Sequence, residues 1–298
     1  ADLGKLKATS GSFTSAEDLV YAGDVGKWIA FTSTLQMQMG MIIADVDDAT
    51  AKSSVESANA TAMASAATDA KVNYYLTSPS QNPLYVDIVL GGRPDYVASE
   101  DLMNQLITLN DPRKSQFFGV NNDGKYVGGI VGKVNDFPAM SKPSAKVSAA
   151  DAPLVMLDYV QAEFLRAEAI ERGYNVPGTA ADHYNNAVKA SIISWGGSAA
   201  EADAYLAQPA VAYATAAGTW RQKIGFQKWI ALYNRPFDGW TELRRLDFPV
   251  LTAPVGAKSG FPNRFPYPSN EQQLNGTNYK AAATKMGDDK VEFKLFWD

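Results

Sequence analysis

The run Phe164-Leu-Arg-Ala-Glu-Ala-Ile-Glu-Arg-Gly173 leads through Tyr174-Asn-Val-Pro-Gly178 into Thr179-Ala-Ala-Asp-His-Tyr-Asn-Asn-Ala-Val-Lys-Ala-Ser-Ile-Ile-Ser-Trp-Gly196. These residues decide the architecture. Leu157, Val160, Phe164 and Ala167 form one apolar stripe of a helix that begins near Ala152, with Pro153 suited to its first turn. Gly173 ends that helix in the left-handed conformation that glycine adopts without strain. Thr179 can then cap a second helix with Tyr184, Val188, Ile192 and Trp195 inward, closed by Gly196-Gly197. Two helices of similar length joined by a short Gly/Pro turn make an antiparallel hairpin.

Outward from this hairpin the chain repeats the texture. Asp24 caps a predicted helix whose stripe is Trp28, Phe31, Leu35, Met39 and Ile42, closed by Asp45-Val-Asp-Asp. An Ala/Ser-rich stretch, 51–72, holds a short helix. Between 73 and 150, Gly, Pro, Asn and Asp punctuate short aromatic runs; only Ser99–Leu109 reads as a helix, and the rest as loops with room for a hairpin. Helices return at Thr219–Asn234, with Ile224, Trp229 and Leu232, and at Phe237–Leu246. Ala180, Tyr184 and Ala187 match the small–aromatic–small spacing of the second helix of a tetratricopeptide repeat, although the first helix lacks its consensus. The expected fold is mainly α: tetratricopeptide-like helix pairs (an α-α superhelix) with a loop-rich insertion. Its parts are a single domain, 1–298, with helical scaffold at 20–72 and 151–246, a ligand-binding insertion at 73–150 and an extended C-terminal tail at 247–298.

Composition narrows the chemistry. The 298 residues carry 27 basic and 32 acidic side chains, a formal charge of −5, which argues against a nucleic-acid partner. There is no Cys, so no disulfide, thiol nucleophile or thiolate metal site is available. One histidine, His183, excludes a multi-histidine metal centre. No cofactor and no metal are expected. No apolar run reaches the roughly 18 residues that a spanning helix needs. The opening Ala1-Asp-Leu-Gly-Lys5 reads like a protein interior.

Several motifs, in order, resemble SusD/RagB-type proteins: Gly23-Asp-Val-Gly-Lys-Trp28, Asp111-Pro-Arg113, Phe164-Leu-Arg-Ala-Glu-Ala, Tyr184 to Gly196, Gln227-Lys-Trp-Ile-Ala-Leu-Tyr, Trp240-Thr-Glu-Leu-Arg-Arg-Leu-Asp-Phe-Pro249, Pro262-Asn-Arg-Phe-Pro-Tyr-Pro-Ser269 and Phe296-Trp-Asp298. The resemblance covers the chain from about Val20 to its end. It implies a non-catalytic outer-membrane lipoprotein at the bacterial surface that binds oligosaccharide, or in some members peptide. It also implies a partner, a TonB-dependent (SusC-like) transporter. The acylated cysteine and early helix pairs typical of the family are absent, so an N-terminally shortened chain is expected.

The resemblance fixes no ligand residues, so candidates come from chemistry. A sugar presents apolar C–H faces and a rim of hydroxyls, and asks for aromatic platforms beside Asn, Asp and Arg. Asn82-Pro-Leu-Tyr85 and Arg93-Pro-Asp95-Tyr96 supply that mixture: Tyr85 and Tyr96 to pack on the ligand, Asn82, Arg93 and Asp95 to hydrogen-bond it. The plainer alternative is that these tyrosines seal loops onto helices and Arg93 pairs with Asp95. A glycoside hydrolase, the rival reading, needs two carboxylates across a cleft, and Asp87 with Asp95 is a nominal pair. Trp28, Trp195, Trp229 and Trp240 read as core, Trp220 as core or staple, and Arg244-Arg245 as structural. His183 reads as a surface residue, and Asn121-Asn-Asp-Gly-Lys as a turn, since no later acid completes a calcium loop.

Overall fold

A computed structural model of the chain describes residues 2–8, 11 and 13–298. Ala1 of the opening stretch lies outside them. In chain order come helices α1 (Asp2–Ala8), α2 (Val25–Ile42) and α3 (Asp48–Asn59), strand β1 (Ala70–Val72), helices α4 (Glu100–Thr108) and α5 (Lys114–Phe117), and strand β2 (Leu154–Leu157). Helices α6 (Tyr159–Glu171), α7 (Ala180–Ser194), α8 (Ala199–Leu206), α9 (Trp220–Ala231), α10 (Pro236–Leu246), α11 (Ser269–Leu274) and α12 (Gly276–Met286) complete it. The mainly helical reading holds, and α6 with α7 forms the expected hairpin.

Capping side chains set the starts. Asp24, Asp47, Ser99, Asp158 and Thr179 each accept a first-turn amide. Ser198 with Glu201 and Thr219 with Gln222 make reciprocal capping boxes. The helix expected from Ala152 starts only after Asp158, because Leu154–Leu157 is committed to pairing antiparallel with Ala70–Val72. Those two strands form the neck from which the insertion emerges. No strand hairpin forms inside the insertion among the described residues; a π-helical turn, Tyr85–Leu90, stands there instead. Helix α8 was not foreseen, nor were α11 and α12, which interrupt an otherwise irregular tail.

The main core lies between α6, α7 and α9, where Phe164, Tyr184, Val188, Ile192 and Ile224 are fully buried. A second cluster joins α2, α3 and α6 through Met37, Met41, Val55 and Leu165. On α2 the predicted stripe is only partly right: Trp28 and Phe31 are half-buried, while Leu35 and Met39 face outward. Close packing on α3 chooses the face. A Cβ at Gly40 would stand 3.1 Å from Ser54 Cβ and 3.2 Å from Ala51 O, so the small side of α2 turns inward. Its polar groups there are satisfied, since Thr34 donates to Ala30 O and accepts from Met63 N. The tryptophans expected in the core are all half-buried. Trp220 lies under the guanidinium groups of Arg172 and Arg221.

Buried charges tie the layers together. Arg113 is fully enclosed and bonds Asp111, Ser191 on α7 and Gln227 on α9. Arg245 on α10 spans Glu168 on α6 and Glu242. Lys228 faces Glu242 at 2.9 Å as an ion pair without hydrogen-bond alignment. Burial works to raise the Glu168 carboxyl, yet Arg245 and Arg172 outweigh it and hold it down to about 2. At the tail, Arg244 sits between the rings of Trp240 and Trp297, 4.1 and 4.4 Å from their centres. Arg244-Arg245 is structural, as expected.

Candidate functional site

The segment between Asn82 and Ala98 is fixed at both feet. At the first, Asn82 Nδ2 donates to Val147 O and Ala149 O, its Oδ1 accepts from Leu84 N, and its own N–H donates to Ala150 O. At the second, Ala98 N donates to Ser141 O and its carbonyl accepts from Gly129 N. Buried Asn82, expected to meet the ligand, therefore has its amide committed to backbone groups. It anchors the loop instead.

Between the feet the π-helical turn runs into Gly91-Gly92. A Cβ at Gly91 would meet Asp87 O at 2.7 Å, and Gly92 has φ +61°, so glycine is required for the reversal. That reversal brings Arg93 back over the turn. Its Nε donates to Asp95 Oδ1 at 3.1 Å and its Nη2 pairs with Asp95 Oδ2. Nη1 lies 3.7 Å from Asp87 Oδ2, and the guanidinium carbon sits 5.1 Å from the Tyr96 ring centre. Tyr96 Oη is 3.5 Å from Asp87 Oδ2. Arg93, Asp87 and Asp95 are each about half exposed.

Three predicted residues thus come together: Arg93, Asp95 and Tyr96. Tyr85 stands half-buried at the start of the same turn and makes no side-chain hydrogen bond or ring contact with them. Asp87, read from sequence only as half of a hydrolytic pair, is the fourth member. Its i+6 and i+9 spacing to Arg93 and Tyr96 signals nothing without the glycine reversal. Hydrogen bonding from Arg93 holds Asp95 below the usual carboxylate range. The arrangement offers donors, carboxylate acceptors and an aromatic face on one surface, beside exposed Val86, Val89 and Leu90.

The remaining candidates are structural. Asn121 Oδ1 accepts from Asp123 N and Lys125 N, which closes the turn as expected. His183 is not a surface residue: Nδ1 lies 2.8 Å from Glu163 Oε2 and Nε2 2.8 Å from Pro177 O. The Gly178 bend folds the connection back onto the ring, a reach the helical pattern does not reveal. Among the described residues no cluster of three or more His, Asp or Glu side chains suits a metal, and no helix is long and apolar enough to cross a membrane.

Comparison with known proteins places this architecture. The chain belongs to the SusD-like family described as starch-binding and associating with the outer membrane, which matches residues 3–268. A chitin-binding protein of known structure is 26% identical, with a TM-score of 0.82 over 100% of this chain and 70% of that one. A SusD homologue from Bacteroides uniformis is 25% identical, with a TM-score of 0.85 over 99% of this chain and 70% of its own. A chitin-binding SusD homologue from Flavobacterium johnsoniae, 24% identical, shares the fold with a TM-score of 0.85 over 99% of this chain and 69% of its own. No curated protein matches the sequence.

Proposed function

We propose that this protein captures an oligosaccharide at the bacterial outer-membrane surface, without cleaving it, for import through a TonB-dependent transporter. The observation that carries the reading is the exposed Asp87–Arg93–Asp95–Tyr96 cluster on a loop pinned at both feet. Tyr96 and Tyr85 pack against the C–H faces of the sugar, while Arg93 and Asp95 hydrogen-bond its hydroxyls. Asn82 holds the loop that carries them. The family's description as starch-binding and the chitin-binding relatives support a carbohydrate ligand.

Cleavage would need a carboxyl poised as an acid on one side of the bond. Arg93 stands between Asp87 and Asp95 and keeps Asp95 ionised, which suits an acceptor and not a proton donor. Calorimetric titration of chitin and starch oligosaccharides against Tyr96→Ala and Arg93→Ala tests the site. Each substitution is expected to weaken binding by about tenfold. Arg93 is exposed, so the Arg93→Ala thermal midpoint stays near the parent value, and half-buried Tyr96 is compared at matched folded fraction. Unchanged affinity in both variants rejects the site.

A further inference from the structure

Within the loop from Asn82 to Ala98 the only charged side chains are Asp87, Arg93 and Asp95, so its exposed cluster carries a net charge of −1. The guanidinium is not shared evenly between the two carboxylates. Both Asp95 oxygens are occupied, Oδ1 by Arg93 Nε at 3.1 Å and Oδ2 by Arg93 Nη2. Asp87 is left over. Its Oδ2 stands 3.7 Å from Arg93 Nη1 and 3.5 Å from Tyr96 Oη, at or beyond the edge of hydrogen-bond length. Among the described residues no donor reaches its Oδ1. Drawn to Asp95 by two bonds, Arg93 is kept from closing on Asp87.

A half-exposed carboxylate without a close donor can only accept. A ligand hydroxyl would fill that acceptor. An ammonium fills it in the stronger, charge-assisted form and cancels the excess charge as well. A carboxylate or sulfate on the ligand meets like charge instead. One free carboxylate does not cage a metal ion such as calcium, which takes about six or more oxygens. The placement suits a ring substituent. The guanidinium of Arg93 lies against the Tyr96 ring, its carbon 5.1 Å from the centre, while Asp87 stands at the hydroxyl edge of the phenol. A sugar packed on that ring brings its rim to Asp87.

We infer that Asp87 sets the selectivity of the loop cluster: it receives the ammonium of a hexosamine whose amine is free, in preference to the same position carrying an acetamide or a hydroxyl. The inference rests on the capture site proposed above and adds the class of sugar that the site prefers.

The test is calorimetric titration of the whole protein at pH 6 with tetramers of glucosamine, of N-acetylglucosamine and of starch-derived glucose. An amine is protonated there, since simple α-amino groups titrate at about 7.7–8.0. The glucosamine tetramer is expected to bind about fivefold more tightly than either neutral one, the strength of an exposed ion pair. Added salt should shrink that margin. Asp87→Asn should bring the ratio of affinities close to one, and Asp87→Glu, which keeps the charge, should retain a preference for the amine. Equal binding of the three tetramers by the parent protein, tighter binding of a neutral one, or a preference that survives in Asp87→Asn overturns the selectivity and leaves the capture reading standing. Binding of none of the three overturns the capture reading, and the selectivity with it.

Discussion

Single residues in this protein divide into those that hold the fold and those left open to solvent, and burial separates them. Arg113 has no exposed surface and its partner Asp111 has none either. Removing the guanidinium leaves a carboxylate buried without a counter-charge. Arg113→Met is expected to cost about 3–5 kcal/mol in urea unfolding; a loss below about 1 kcal/mol would show that the pair does not hold α7 and α9 together. His183 gives a pH signature. Its two ring nitrogens both face acceptors, which only the imidazolium satisfies, and hydrogen bonding to Glu163 raises its pKa despite burial. Arg166 opposes the shift, and Asn186 shares the same Glu163 oxygen. Because the folded value is the higher one, the stabilisation is complete below the unfolded pKa near 6.5 and disappears as pH rises through the folded value. Solvent screening limits it to about 1 kcal/mol. The stability gap between wild type and His183→Gln should therefore narrow from pH 6 to alkaline pH, and a gap that widens contradicts the assignment.

At the scale of elements, the loop is fastened at both ends by hydrogen bonds to distant backbone. Asn82 closes one foot with three side-chain bonds. Asn82→Ala removes all three, so amide exchange across residues 83–97 should accelerate while α6 and α7 keep their protection. Exchange that is unchanged there would return Asn82 to a ligand-facing role. The same contrast explains what was legible in the sequence. The helices of the α6–α7 hairpin announced themselves through period, cap and Gly stop, and Gly23-Asp-x-x-Lys-Trp28 was visible as a motif. Its physical content is local: Asp18 accepts from Val20 N, Tyr21 N, Gly23 N and Trp28 Nε1, and Asp24 caps α2. The loop cluster was half legible. Arg93, Asp95 and Tyr96 lie close in sequence, whereas Asp87 joins them only through the Gly91-Gly92 reversal, and the anchoring bonds of Asn82 are hidden because their partners are 65 and 67 residues away. The β2 start failed for the same reason, since a strand partner more than 80 residues distant competes with local helical pattern.

Across the whole molecule, a helical scaffold welded by buried ion pairs presents a loop-rich insertion on a narrow two-stranded neck. The scaffold's charged residues are spent on one another: Glu168, Glu242 and Arg245 inside, Asp45 between Arg172 and Arg221 at the edge. The insertion keeps exposed polar groups beside an aromatic ring, and the proposed recognition site draws on these. We propose capture without cleavage through that insertion. Its most direct test is calorimetric titration of the protein with chitin and starch oligosaccharides and with short peptides, each mixture analysed afterwards for products. Saturable binding of an oligosaccharide, of the order of micromolar, with the ligand recovered intact, is the expected result. Cleaved ligand, or binding of peptides alone, would contradict it.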